Sequence, residues 1–110
     1  FVLLNGPQFI EAARVLAETL TKAHPDDTPG LLAAAFERLT GRLPDDAEQA
    51  TLARMYAAQH AWYTAHPEAA AAYLKTGERP VDVALPPIPL AAAANVINAL
   101  MNYDGAVVKR

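Results

Sequence analysis

The sequence predicts a small all-α domain of about five helices, arranged as an irregular orthogonal or antiparallel bundle. Alanine, the strongest helix former, supplies 25 of the 110 residues, and the β-branched residues that favour strands are fewer. Apolar side chains recur every three or four residues, and proline and glycine separate the stretches in which they do so. A chain of this length fits a single modest core, so residues 1–110 are expected to form one domain.

The first two predicted helices cover residues 6–23 and 29–40. Thr28, which precedes Pro29, is expected to cap the second helix, and Gly41 supplies the left-handed residue that ends it. On the first helix, charges of alternating sign follow one another at a spacing of three or four residues. This pattern predicts a solvent-exposed outer face formed by Glu11, Arg14, Glu18 and Lys22.

Residues 46–65 are predicted to form the third and longest helix, which begins with a capping box of Asp45 and Glu48. Pro67 favours the start of a fourth helix, over residues 67–76, which Gly77 is expected to end.

A proline-rich segment, residues 78–89, separates the fourth helix from the fifth. Because proline donates no backbone hydrogen bond, this segment is predicted to be an extended strap that crosses the bundle. The fifth helix is expected over residues 90–103, with Gly105 as its stop.

Charge and composition exclude several classes of function. The net charge of −3 and the acidic start of the third helix argue against nucleic acid as a partner. The absence of cysteine excludes disulfides, thiolate metal sites and covalently attached haem within these residues. The longest apolar region, residues 85–101, is interrupted by prolines and asparagines, so no membrane span is predicted.

No residue stands out as catalytic, cofactor-binding or metal-ligating. His60 and His66 fall on different sides of a helix, and His24 lies in a loop beside two aspartates. No phosphate-binding loop or nucleophile motif occurs in the sequence. We therefore expect the chain, by itself, not to be an enzyme.

Two groups of residues form a candidate interaction surface. Trp62 and Tyr63 belong to an aromatic set that is either a ligand-binding platform or part of the core, and Trp62 is the member expected to be partly exposed. The fifth helix carries three asparagines within about 60° of one another, and they have three possible explanations: solvent exposure, a polar seam with the strap or the opening segment, or docking against a neighbouring domain. The asparagine group is Asn95, Asn98 and Asn102, and Asp104 completes the candidate surface.

Four stretches, in order along the chain, resemble one known family. They are LLNGPQFIEAA (3–13), AFERLTGRLPDDAE (35–48), TGERPVD (76–82) and ANVINALMNYD (94–104). Together they are similar to the C-terminal helical domain of unknown function (the "1553" family) of planctomycete-type cytochrome-like secreted proteins. The chain departs from this family at Gly105, where an acidic residue is usual, and at Ala93, near which a bulky aromatic is common.

The resemblance implies a fragment that closes a larger, exported multidomain protein in the periplasm or at the cell surface. Any haem would belong elsewhere in that parent chain, and the partners would be its other domains or a separate protein. The expected function is thus that of a non-catalytic end domain. The alternative is an accessory part of a secreted carbohydrate-active enzyme, or a module that binds a glycan or small ligand.

Overall fold

Five α-helices make up the described part of the chain. A computed structural model describes the backbone of residues 7–75 and 84–108 and the side chains of residues 10–75 and 84–102. The helices are α1 (Pro7–Ala23), α2 (Thr28–Thr40), α3 (Asp46–Ala65), α4 (Pro67–Leu74) and α5 (Pro87–Val108). These ranges contain no strand, and the all-α prediction is confirmed.

Helix α5 lies at the centre of the bundle and contacts each of the other four helices, α1 most extensively. Its buried positions include four consecutive alanines, Ala91–Ala94, each at most 1% exposed, followed by the larger Val96 and Ile97. Small side chains let helix axes approach closely, and the larger ones fill the space that remains. None of the described helices has both the length and the apolar character that crossing a membrane requires.

The link between α2 and α3 is built as the sequence predicts. Gly41 ends α2 with a φ of 86°, a conformation that glycine adopts without strain. Asp45 Oδ1 accepts a hydrogen bond from the Glu48 amide (2.8 Å), and Glu48 Oε1 accepts one from the Asp45 amide (2.9 Å), which completes the capping box. The guanidinium of Arg42 also donates two hydrogen bonds, of 2.7 and 2.8 Å, to the Glu48 carboxylate.

The predicted cap of α2 was wrong by one residue. The N-cap is Asp27, whose Oδ1 accepts a hydrogen bond from the Gly30 amide at 3.1 Å, and Thr28 is the first helical residue. A carboxylate is a strong acceptor and also interacts favourably with the positive end of the helix dipole. A Cβ at position 30 would meet this carboxylate, so a larger residue there would have to push the Asp27 side chain out of its present position.

The ends of α4 and α5 also differ from the prediction. Helix α4 ends at Leu74, and residues 76–83, with the predicted stop Gly77 and most of the strap, lie outside the described residues, as does the opening segment before Pro7. Pro87 and Pro89 are helical rather than extended, because the first turn of a helix does not need their missing N–H groups. Gly105 does not stop α5, which continues to Val108; an interior glycine costs a helix only about 1 kcal/mol.

The charged face predicted for α1 is not a simple solvated face. Arg14 is fully buried, and its Nη1 lies 3.1 Å from Oε2 of Glu18, whose side chain is 14% exposed. Lys22, by contrast, is exposed as predicted. Removing water from a guanidinium is unfavourable unless carboxylates and hydrogen bonds compensate, so the i, i+4 pair serves as an internal ion pair and not as a surface contact.

Close packing around α5 makes a size increase there costly. We expect Ala94→Leu to lower the free energy of unfolding by about 1–3 kcal/mol, because α5 has no room for three more carbon atoms. Chemical denaturation followed by circular dichroism measures the change. Ala57→Leu, the same substitution at an exposed position of α3, is the control and should change stability by less than about 0.5 kcal/mol. Equal effects of the two substitutions would contradict the packing described here.

The Arg42–Glu48 pair makes a prediction about pH. The hydrogen bonds from Arg42, and then that from the Asp45 amide, lower the pKa of Glu48 from 4.5 to about 2. Because the folded-state pKa lies below that of the unfolded chain, this carboxylate stabilises the fold above about pH 4.5, and the contribution disappears as the pH falls towards 2. Arg42→Met should return the carboxyl titration, followed by NMR, towards 4.5, whereas Arg38→Met should leave it unchanged. An unaltered midpoint in Arg42→Met would contradict the assignment.

Candidate functional site

The structure brings five of the six candidate residues into one region. Trp62 and Tyr63 lie near the end of α3, and the three asparagines lie on α5 opposite α3 and α4. Asp104 belongs to α5, but its side chain lies outside the described residues.

The asparagines of α5 form an internal polar seam. Asn95 donates a short hydrogen bond to the hydroxyl of Tyr63. Asn102 donates to the backbone carbonyl and to Oδ1 of Asn98, at 3.0 and 2.9 Å. Asn98 is only 9% exposed, so the solvent-exposure explanation was wrong for this residue. A polar seam was among the alternatives, but its partner in the described structure is Tyr63 of α3.

Two tyrosines face this seam. The rings of Tyr63 and Tyr73 lie 6.3 Å apart between their centroids. Burial, and then the proximity of Tyr63, raises the pKa of Tyr73 to about 12, although Asn98 lowers it slightly. Burial also raises the pKa of Tyr63. Both hydroxyls therefore stay protonated near neutral pH and serve as neutral hydrogen-bonding groups, not as bases.

The hydroxyl groups of Tyr63 and Tyr73 differ in their hydrogen bonding. Tyr63 has Asn95 as its partner, whereas the buried hydroxyl of Tyr73 makes no hydrogen bond of suitable geometry with the described residues. Asn98 is close enough to affect the pKa of Tyr73 without completing such a bond. This difference makes the pair a natural test of what the seam contributes.

Trp62 is 49% exposed, which confirms the expectation that it would be the exposed aromatic. The imidazole of His66 stacks on the indole, with centroids 4.2 Å apart and planes 20° apart, and Tyr63 meets the indole edge-on at 5.2 Å. Nδ1 of His66 donates a hydrogen bond to the Trp62 carbonyl at 2.9 Å, which fixes the orientation of the ring. Sequence reasoning missed His66, although its i, i+4 spacing from Trp62 at a helix end is the signal that indicates the contact.

An apolar groove runs along α3 next to these aromatics. It has a volume of about 380 Å³ and lies between α2, α3 and α5. Thr51 and Met55 line it, and they share one face of α3 with Ala58 and Trp62 because the four follow one another at spacings of four, three and four residues. The groove and Trp62 therefore lie on the same face of α3, and Thr51 is about 16 Å from Trp62 along the helix axis.

Within the described residues, no three histidine, aspartate or glutamate side chains converge on a possible metal position. No family model, curated protein or solved structure matches the chain. Information about the function therefore comes from the surface of the described residues. The region contains an internal tyrosine–asparagine seam that joins α3 to α5, with Tyr73 of α4 packed beside Tyr63. Outside the seam, α3 has an exposed face rich in alanine.

The seam is tested by a matched pair of hydroxyl deletions. Tyr63→Phe leaves the Asn95 amide without its acceptor and should cost about 1–2 kcal/mol of stability. Tyr73→Phe removes a buried hydroxyl that has no described partner and should be neutral or stabilising by up to about 1 kcal/mol. Urea denaturation of both variants measures the difference. The seam is refuted if Tyr73→Phe proves the more destabilising of the two.

Proposed function

We propose that this chain is a non-catalytic helical end domain that docks through α3 onto the rest of a larger exported protein or onto a partner protein. The periplasmic or cell-surface location and the cytochrome-like parent are part of the proposal and rest on the sequence resemblance. Any haem in such a parent would be held outside these residues.

The observation that carries the proposal is the composition of the outer face of α3. Seven of its 20 residues are exposed alanines, and Trp62 is exposed beside them. Between residues 49 and 66, Arg54 is the only Lys, Arg, Asp or Glu. We call this face, which consists of the exposed positions within residues 50–65, the α3 surface.

Solvent-facing helix surfaces usually carry charges at roughly a quarter to a third of their positions. A helix without a polar side is typical of one that is covered on all sides in the assembled protein. Small side chains also permit another helix to approach closely, and the neighbouring groove offers a place for a bulky apolar side chain. Leu43, in the loop before α3, is a further exposed apolar side chain, 61% accessible.

The alternative function, an accessory part of a carbohydrate-active enzyme or a glycan-binding module, is supported by Trp62 alone. A half-exposed indole is a suitable surface for stacking against a sugar ring or another small ligand. However, His66 already stacks on this indole, which leaves less of the ring for a ligand. For this reason docking is the function that the geometry favours.

Cysteine labelling tests the docking proposal, because the chain has no cysteine of its own. Ala58→Cys places a thiol on the α3 surface, and Ala12→Cys, on an exposed position of α1, is the control. Both thiols should react rapidly with a soluble maleimide in the isolated chain. In the native polypeptide within its own cells, labelling at position 58, followed by peptide mass spectrometry, should slow by about tenfold or more, while position 12 stays reactive. Unchanged reactivity at position 58 would rule out a covered α3 surface.

A further inference from the structure

A second cavity, which shares no lining residue with the groove, lies at the turn between α1 and α2. Its volume is about 430 Å³, within the range of small-molecule binding pockets. Five parts of the fold meet there: the end of α1, the α1–α2 turn, the first turn of α2, Tyr56 of α3 and the start of α5. Neither the candidate surface nor the docking proposal uses this cavity.

The floor of the cavity is apolar. Leu31 and Leu90 are almost fully buried beneath it, and Leu85, Pro86 and Pro89 form one wall. Proline rings and leucine side chains offer a dry surface for a compact hydrocarbon or aromatic group, whose transfer from water is favourable.

The rim of the cavity is polar and predominantly acidic. The two carboxylate oxygens of Asp27 have different partners. Oδ1 caps α2, and Oδ2 lies 3.6 Å from Nδ1 of His24. Asp26 is held at a φ of 57°, and its carboxylate makes no hydrogen bond or ion pair with any described residue. Lys22 is the one ammonium group on the described rim, so an anion would face a net negative charge.

The opposite side of the rim supplies a neutral hydroxyl. Burial raises the pKa of Tyr56, and this effect exceeds the lowering by a hydrogen bond with Thr28. The phenol therefore remains protonated and can donate or accept a hydrogen bond beside the acidic turn. The carboxylates and the phenol on the rim favour a positively charged hydrogen-bond donor, and the apolar floor favours a compact apolar group. Together they favour a ligand that has the donor at one end and the apolar body at the other.

We propose that this cavity is a binding site for a small organic cation, a protonated amine on a compact apolar body. The ammonium group binds at the carboxylate of Asp26, and the apolar body lies on the floor formed by Leu90 and the two prolines. This site is independent of the docking proposal, and either can fail without the other.

The test uses 2-phenylethylamine as the cationic probe, with 2-phenylethanol and phenylacetate as neutral and anionic analogues of similar size. In an NMR titration of the whole chain, the amine should produce saturable shifts at residues 24–31, 56 and 85–93. The alcohol should bind more weakly and phenylacetate most weakly, because the charge of the polar end changes from positive to neutral to negative along this series while the phenyl group is kept.

Asp26→Asn removes the charge while keeping a residue type that tolerates a positive φ, and it should weaken binding of the amine by about fivefold. Asp46→Asn, which makes the same change in net charge at the start of α3, should leave binding unchanged. The absence of saturable shifts with the amine would overturn the proposal. So would equal binding of amine and alcohol by the original chain, a result that does not depend on how the variants fold.

Discussion

The fold depends on how closely four helices can approach α5. The run Ala91–Ala94 meets this requirement, because a methyl side chain occupies little space in any direction in which a neighbouring helix lies. A central helix of ordinary side chains would hold its neighbours further apart and leave gaps in a core of this size. Larger buried residues flank the alanines, with Leu90 before them and Val96 and Ile97 after them, and these side chains fill the core on either side.

The central position of α5 also explains the polar groups of the interior. Asparagine is a mediocre helix former, and on a buried face its amide needs partners. Tyr63 provides one for Asn95, and Asn102 provides one for Asn98. The tyrosines of α3 and α4 therefore fill volume that alanine cannot and, through Tyr63, satisfy part of the polar seam. Since the inner side of α3 is occupied in this way, the domain alone does not explain why Arg54 is the only Lys, Arg, Asp or Glu between residues 49 and 66, and the proposed docking partner would explain it.

Sequence patterns correctly predicted those features of the structure that depend on residues close together in the chain. The bounds of α3, its capping box and the stop at Gly41 each depend on residues within one turn. The burial of Arg14 was misjudged and that of Asn98 was left open, because it depends on helices distant in sequence. Neither spacing nor charge pattern reveals which helix lies against these residues. Tyr63 and the three asparagines of the seam were singled out because asparagines on one helix face and clustered aromatics are locally visible. The cavity at the α1–α2 turn was missed because the start of α5, some 60 residues further along the chain, builds its wall.

Native-state hydrogen exchange tests the central role of α5 most directly. If α5 is the element on which the other four helices depend, the amides of residues 92–98 should exchange only by global unfolding. Their exchange free energy should then equal the unfolding free energy from denaturant titration, and amides of α1, α2, α3 and α4 should exchange at equal or lower free energy. Amides of α1 or α3 that remain protected after those of α5 have exchanged would contradict the account.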